Sequence, residues 1–294
     1  MAADFSQWKL DPSSLKRCGG DPGQRTSRHE RPQHNAALQG IRRQGLWVTM
    51  SKEQSQKGAD FIVVIDGPAG AGKSTVAKLL AERLGFSVLD TGALYRAVAI
   101  HLSRQGVSPA DETMLGDALE SLDLTVEPDG ESFRIFLGSE DTSGLLRDEE
   151  IGEAASVFSS KAEVRRALLA LQRSIGRQGR IVVEGRDMGT VVFPEAQIKF
   201  FVTADLEERG RRRWAELVAQ GRQTDRSEVR SEMAQRDGRD ETREEAPLRK
   251  APDALLIDST GLTVGEVVDR MIVHIAHKFP DAMKSSNRRE IRRA

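Results

Sequence analysis

The sequence predicts an α/β protein with strands buried on both faces of a sheet, and three observations predict it. Phe61-Ile-Val-Val-Ile65 is an unbroken apolar run, rich in β-branched residues, as found where helices cover both faces of a sheet. A glycine-rich turn, Asp66 to Gly72, hands this strand to a segment whose Val76, Leu79, Leu80 and Leu84 recur at helical spacing. Further short apolar runs begin at Ser87, Ile181, Gln197 and Leu255, with helical patterns between them.

The first strand, turn and helix organise the rest. Gly67-Pro68-Ala69-Gly70-Ala71-Gly72-Lys73-Ser74, followed by Thr75, is a G-x-x-x-x-G-K-S pattern, the P-loop. Its glycines let the backbone press close to a phosphate, and its N–H groups and the helix dipole converge on that anion. Lys73 adds a charge near the β- and γ-phosphates, and the Ser74 hydroxyl can ligate Mg²⁺. Gly85 ends the helix as a left-handed C-terminal cap. The stretch predicts binding of a nucleoside triphosphate.

Ser87-Val-Leu-Asp90 is a second strand, and Thr91-Gly92-Ala-Leu-Tyr95-Arg96 opens the next helix. A hydroxyl and an arginine just past a strand's C-terminal end suit ligand binding in an open α/β sheet, while Thr91 equally suits the helix cap. Between 121 and 142 the period changes to two. Leu122, Leu124 and Val126, the turn Asp129-Gly130, then Phe133, Ile135 and Leu137 predict an inserted antiparallel hairpin. Ser160-Lys-Ala-Glu163 predicts a capping box before a helix with Val164, Leu168, Leu171 and Ile175 on one face. Ile181-Val-Val-Glu184 is a third strand, and Glu184 at its end is a candidate carboxylate near the metal. Arg186-Asp187 would be a solvated ion pair in most loops, but at a strand's C-terminal end a ligand role is favoured.

Composition narrows the partners. A formal net charge of −1 argues against a dedicated polyanion binder, and one cysteine, Cys18, rules out a disulfide framework or a cysteine-rich zinc site. No apolar run reaches the roughly 18–20 residues of a membrane span, and no signal sequence opens the chain. The expectation is a soluble, cytoplasmic monomer with no membrane or nucleic-acid partner. Residues 1–58 are rich in Gly, Pro, Ser, Gln and Arg without apolar periodicity and are expected to be a disordered extension. A start codon assigned upstream of Met50 accounts for it more simply than a regulatory or nucleic-acid-touching arm does.

Ile65 through Thr75, Asp90-Thr-Gly-Ala-Leu-Tyr-Arg96, Gly185-Arg-Asp-Met-Gly-Thr-Val-Val-Phe-Pro194, Arg236-Asp-Gly-Arg-Asp-Glu-Thr-Arg243, Ala246-Pro-Leu248 and Ala254-Leu-Leu-Ile-Asp-Ser-Thr260 come in an order and at separations that resemble the bacterial cytidylate kinases, P-loop nucleoside monophosphate kinases. The resemblance covers about residues 60 to 280. It implies a parallel five-stranded sheet flanked by helices, a kinase domain over 59–283, a monophosphate-binding insert over about 92–178, a lid over about 206–248 and a basic tail over 284–294. It also implies transfer of the γ-phosphoryl of ATP to CMP or dCMP, with Mg²⁺ accompanying the ATP. Carried over position by position, Gly67 to Thr75 would bind ATP. Thr91, Arg147 and Asp187 would read cytosine. Arg96, Arg186 and Arg236 would clamp the monophosphate, and Asp240 and Arg243 would contact the sugar and its neighbours. Lys73, Arg186, Asp187 and Arg236 are the residues expected at the chemistry. Thr91 stands where the family often has serine and keeps the hydroxyl.

Leu206 to Leu248 is a highly charged helical stretch, read either as a solvated helix laced with ion pairs or, by the resemblance, as the lid with Arg209 and Arg213 reaching phosphate. Thr263-Val-Gly-Glu266 predicts a capping box for the last helix. Two other readings stay open: a P-loop kinase for UMP, AMP or another small acceptor, and an ATP-binding regulatory or RNA-associated module.

Overall fold

The computed structural model describes residues 61–280 except 178, together with the backbone of 41–43 and 46–48. In chain order the strands are β1 (Ile41–Arg43), β2 (Leu46–Val48), β3 (Phe61–Asp66), β4 (Ser87–Asp90), β5 (Leu124–Asp129), β6 (Ser132–Leu137), β7 (Glu140–Asp141), β8 (Arg180–Gly185), β9 (Ile198–Thr203) and β10 (Leu255–Asp258). The helices are α1 (Lys73–Leu84), α2 (Thr91–Arg104), α3 (Glu112–Glu120), α4 (Glu149–Phe158), α5 (Ala162–Gly176), α6 (Leu206–Ala219), α7 (Arg226–Thr242) and α8 (Val264–Lys278).

The central sheet is five-stranded and parallel, in the order β10-β9-β3-β8-β4. Successive side chains of β3 point to opposite faces. Val63 and Ile65 join α1 and α8 in one core cluster, while Val64 joins α2, α4 and α5 in the other. That is why the run is apolar without alternation. Strand order puts β3 in the middle. Register then aligns Asp66 with Gly185, and Glu184 with both Ile65 and Asp90, so three strand ends meet on one edge. The P-loop leaves from that edge.

The hairpin predicted over 121–142 is present. β5 pairs antiparallel with β6 from Leu124↔Leu137 to Asp129↔Ser132, around Gly130 at φ 63°. It belongs to a larger sheet in the order β1-β2-β5-β6-β7, in which β2 runs parallel to β5. The expectation of no regular structure through residue 58 therefore does not hold for 41–43 and 46–48. A neighbouring strand edge supplies the hydrogen bonds that local sequence does not announce. The rest of 1–58, and the tail 284–294, lie outside the described residues.

Three local expectations are corrected. Asp90, not Thr91, caps α2: its Oδ1 accepts the Ala93 N–H at 3.2 Å, and Thr91 is the first helical residue. The capping box at Ser160 does not form. Lys161 occupies the cap position, and the Ser160 hydroxyl donates backwards to Val157 O at 2.7 Å. The charged stretch from Leu206 is two antiparallel helices, α6 and α7, rather than one, and Gly221 at φ 79° follows the first. The box at Thr263 and Glu266 forms as expected. No helix among the described residues is long and apolar enough to cross a membrane.

Candidate active site

The P-loop has a shape only glycine permits at two points. A Cβ on Gly67, at φ 150°, would lie 1.9 Å from the Val202 carbonyl oxygen of β9. One on Gly70, at φ 69°, would lie 2.4 Å from Met233 Cε of α7. The loop is also held from the lid side. Asp237 accepts the Ala69 N–H at 3.3 Å, and Arg209 donates to the Ala69 carbonyl at 3.0 Å. Arg209 and Asp237 pair with each other at 2.5 Å, both buried. Ala69, Leu217, Val229 and Met233 form a small apolar cluster around the same contact.

Lys73 is buried at the start of α1, and its Nζ donates to Pro68 O at 2.7 Å. Burial, then the nearby Arg186 and Arg236 guanidinium groups, lower its pKa to about 7 despite the opposing Glu184. Burial, with the Asp90 carboxylate beside it, raises that of Glu184. Ser74 is exposed at the loop's end and its side chain hydrogen-bonds Glu184. A cation-seeking carboxylate and a hydroxyl thus sit at the foot of the loop.

Beside the loop lies a pocket lined by five arginines, Arg96, Arg165, Arg186, Arg236 and Arg243, against two carboxylates, Asp187 and Asp240. The excess of positive charge suits an anionic ligand. Asp187, 1 % exposed, forms a buried ion pair with Arg165 and lies 3.6 Å from Arg243 Nη2. Arg165 in turn lies over the Tyr95 ring at 5.4 Å. Arg243 Nε donates to Ala246 O at 2.7 Å, which aims its other nitrogens at Asp187 and Asp240. Ala246 takes φ 52°, a left-handed conformation uncommon for a residue with a side chain.

Asp240 binds Arg186 at 2.8 Å. Burial works against its ionisation, but Arg186 and Arg236 outweigh that and hold the carboxyl below its usual range. Burial and the repulsion of Arg186 bring Arg236 down to about 10. Arg236 Nε, Arg243 Nη2 and Ser156 Oγ are buried with no hydrogen-bond partner among the described residues. Buried donors left unsatisfied by the fold are costly, and at a pocket wall they are available to a ligand.

The structure thus gathers Thr91, Arg96, Arg186, Asp187, Arg236, Asp240 and Arg243 around one pocket. Thr91 Oγ1 donates to Glu184 O at 2.7 Å, so its lone pairs remain for an incoming donor. Arg147 is not brought there: it is exposed in the short turn 145–147 and does not line the pocket. Arg209 is committed to Ala69, Ala204 and Asp237, and Arg213 to Glu149 at 3.1 Å and Glu216 at 3.2 Å. Arg212 Nη1 lies 4.0 Å from a Cβ placed on Gly72. Ser259 holds it through Oγ at 3.1 Å and O at 2.7 Å.

Sequence reasoning misses Arg165, Tyr95, Ser156 and Asp66. Arg165 carries a legible signal. It precedes Leu168 by three and Gln172 by seven, on the buried side of α5. An arginine there needs a buried anion.

The family model described as "Cytidylate kinase" matches residues 63–277. A cytidylate kinase of Geobacter sp. strain M21 is 50 % identical over 210 residues, covering 71 % of this chain and 90 % of its own. One of Carboxydothermus hydrogenoformans is 47 % identical over 216 residues, 74 % and 97 % of the two chains. One of Mycobacterium avium strain 104 is 46 % identical over 216 residues, 72 % and 94 % of the two.

Proposed function

The chain belongs to the cytidylate kinase family, and from that we propose that the P-loop receives ATP and the arginine-lined pocket receives the pyrimidine monophosphate. The reaction is transfer of the γ-phosphoryl group of ATP to CMP or dCMP, giving ADP and CDP or dCDP. The observation that carries the site assignment is Asp187, buried between Arg165 and Arg243 at the wall of a pocket otherwise dominated by cations.

Cytosine offers an amino donor at N4 and acceptors at N3 and O2. Asp187 and the free lone pairs of Thr91 accept from the amino group, and Arg165 donates to the acceptor edge. Arg165 therefore takes the role that the resemblance assigned to Arg147. Uracil would turn O4, an acceptor, toward the carboxylate, which then loses the amino donor and meets a second acceptor. Arg96, Arg186 and Arg236 clamp the acceptor phosphate, while Asp240, Arg243 and Ser156 face the sugar side.

The acceptor phosphate is already an anionic nucleophile, so no general base is required. The residues act by holding both phosphates in line and neutralising charge. The donor set at the loop fits Mg²⁺, a hard cation that takes oxygen ligands. Ser74 would hold it together with the nucleotide's phosphates, with Glu184 hydrogen-bonded behind Ser74. When bound, the ion supplies charge neutralisation at the β- and γ-phosphates. Lys73, lowered by burial and by like charge, gains its anionic partner when the triphosphate enters. Among the lid arginines, Arg212, held beside Gly72 by Glu208 and Ser259, is the one assigned to the nucleotide.

Arg165→Lys and Arg147→Ala separate the two candidates for the base-reading arginine. Lysine keeps the charge against Asp187 but loses the planar fork. Steady-state kinetics are expected to show about a tenfold rise in KM for CMP in R165K and no change beyond about twofold in R147A. The reverse pattern would return the role to Arg147.

A further inference from the structure

We propose that Asp66 is a positioning residue for base selection: its carboxylate pins the turn that carries Asp187. The inference rests on the reading of Asp187 as the group that accepts from the cytosine amino group.

Asp66 is the last residue of β3 and 2 % exposed, and it has no cation within ion-pair distance among the described residues. Both of its oxygens are spent on backbone. Oδ1 accepts the Met188 N–H at 2.9 Å, and Oδ2 accepts the Gly189 N–H at 2.8 Å. These are the two residues that follow Asp187, and they open the helical turn Met188–Val192. The first N–H groups of a helical turn have no acceptor within it. Asp66 supplies two at once, from the strand that feeds the P-loop.

The chemistry of the side chain is specific. Asparagine would keep one acceptor and point an amide NH₂ at a backbone N–H. Alanine would leave two buried donors unsatisfied. The carboxylate is itself disfavoured there: burial raises its pKa to about 6 against the pull of the two N–H groups, with Asp187 adding to the rise. Lys73 opposes that rise, and the Lys199 stem packs beside the carboxylate on the same side of Gly189. A Cβ on Gly189 would lie 3.3 Å from Asp66 Oδ2 and 3.1 Å from Lys199 Cδ, so the turn is closely packed on the side that carries the carboxylate. Asp187 is therefore aimed by a contact made one and two residues further along the chain.

The test is the ratio of kcat/KM for CMP to that for UMP in Asp66→Asn and in Gly189→Ala, which presses on the same contact from the other end. Each variant is expected to lower the ratio about tenfold, as a misplacement well under 1 Å does, with KM for ATP within about twofold of wild type. Asp187→Asn runs beside them. A wild-type ratio in both D66N and G189A, with only thermal stability reduced, overturns the positioning role. If D66N does not fold, the ratio in G189A decides. A wild-type ratio in D187N as well overturns the reading of Asp187 on which the proposal stands, whereas a fall in D187N alone overturns only the part played by Asp66.

Discussion

Lys73→Ala is expected to lower kcat by about 10²–10³-fold while KM for CMP changes little. The Nζ is fixed by the Pro68 carbonyl at 2.7 Å within a loop that Gly67 and Gly70 hold in one shape. It acts as a preplaced charge, and its loss is felt where negative charge moves between the phosphoryl groups. A pH experiment checks the same residue independently. Burial and the neighbouring arginines lower its pKa to about 7 in the nucleotide-free protein. Above that pH the amine is largely neutral, and binding of triphosphate must draw a proton onto it. Affinity for ATP is expected to weaken as pH rises from about 7 to 9, with proton uptake on binding visible by calorimetry in two buffers. K73A should lose the proton uptake that belongs to the lysine, leaving only the titration of Glu184, which burial raises to about 7. Turnover near wild type in K73A would remove the lysine from the chemistry.

Asp187→Asn is expected to lower the CMP-to-UMP ratio of kcat/KM by about 10²-fold. The amide presents an NH₂ that uracil O4 can accept from, so much of the change comes from improved use of UMP as well as weaker use of CMP. Asparagine is the informative variant because alanine confounds the result. Asparagine keeps an acceptor oxygen for the buried Arg165, whereas alanine leaves that guanidinium facing nothing, and breaking a buried pair in that way costs about 3–5 kcal/mol; Arg243 keeps Asp240 at 3.6 Å in either case. Equal losses with CMP and UMP would contradict a base-reading role and point to a purely structural one.

Much of this arrangement is legible in the residues themselves. The sheet is legible because each strand is an apolar run ended by a glycine or a polar turn, and Phe61–Asp66 followed by Lys73–Leu84 leaves little choice of local geometry. Most of the pocket's charged residues are legible because they cluster in two polar stretches, 185–187 and 236–243, where a solvated helix or loop has no need of so many paired charges. Arg165 is half legible: its place on the buried side of α5 asks for an anion, but its partner Asp187 lies 22 residues away and only the fold brings them together. Asp66 is obscured for the opposite reason: it reads as the polar end of a strand, and its two acceptor contacts are with backbone 122 and 123 residues on. The capping box at Ser160 shows the limit of local motifs. Ser160 bonds back to Val157, satisfying the end of α4 rather than the start of α5. Among the many arginines of the lid, spacing does not distinguish Arg209 and Arg213 from their neighbours. The pairs of Arg209 with Asp237 and of Arg213 with Glu149 are tertiary facts that spacing does not carry.

The central claim is that a pocket of five arginines around Asp187 and Asp240 accepts a cytosine monophosphate beside the P-loop. The measurement that tests it most directly is ADP release by the intact chain with ATP and Mg²⁺ against CMP, dCMP, UMP and AMP in turn. The account predicts strong turnover with CMP and dCMP and at least about tenfold lower kcat/KM with UMP, because uracil sets an acceptor against the buried carboxylate. Turnover with UMP or AMP equal to that with CMP would contradict it.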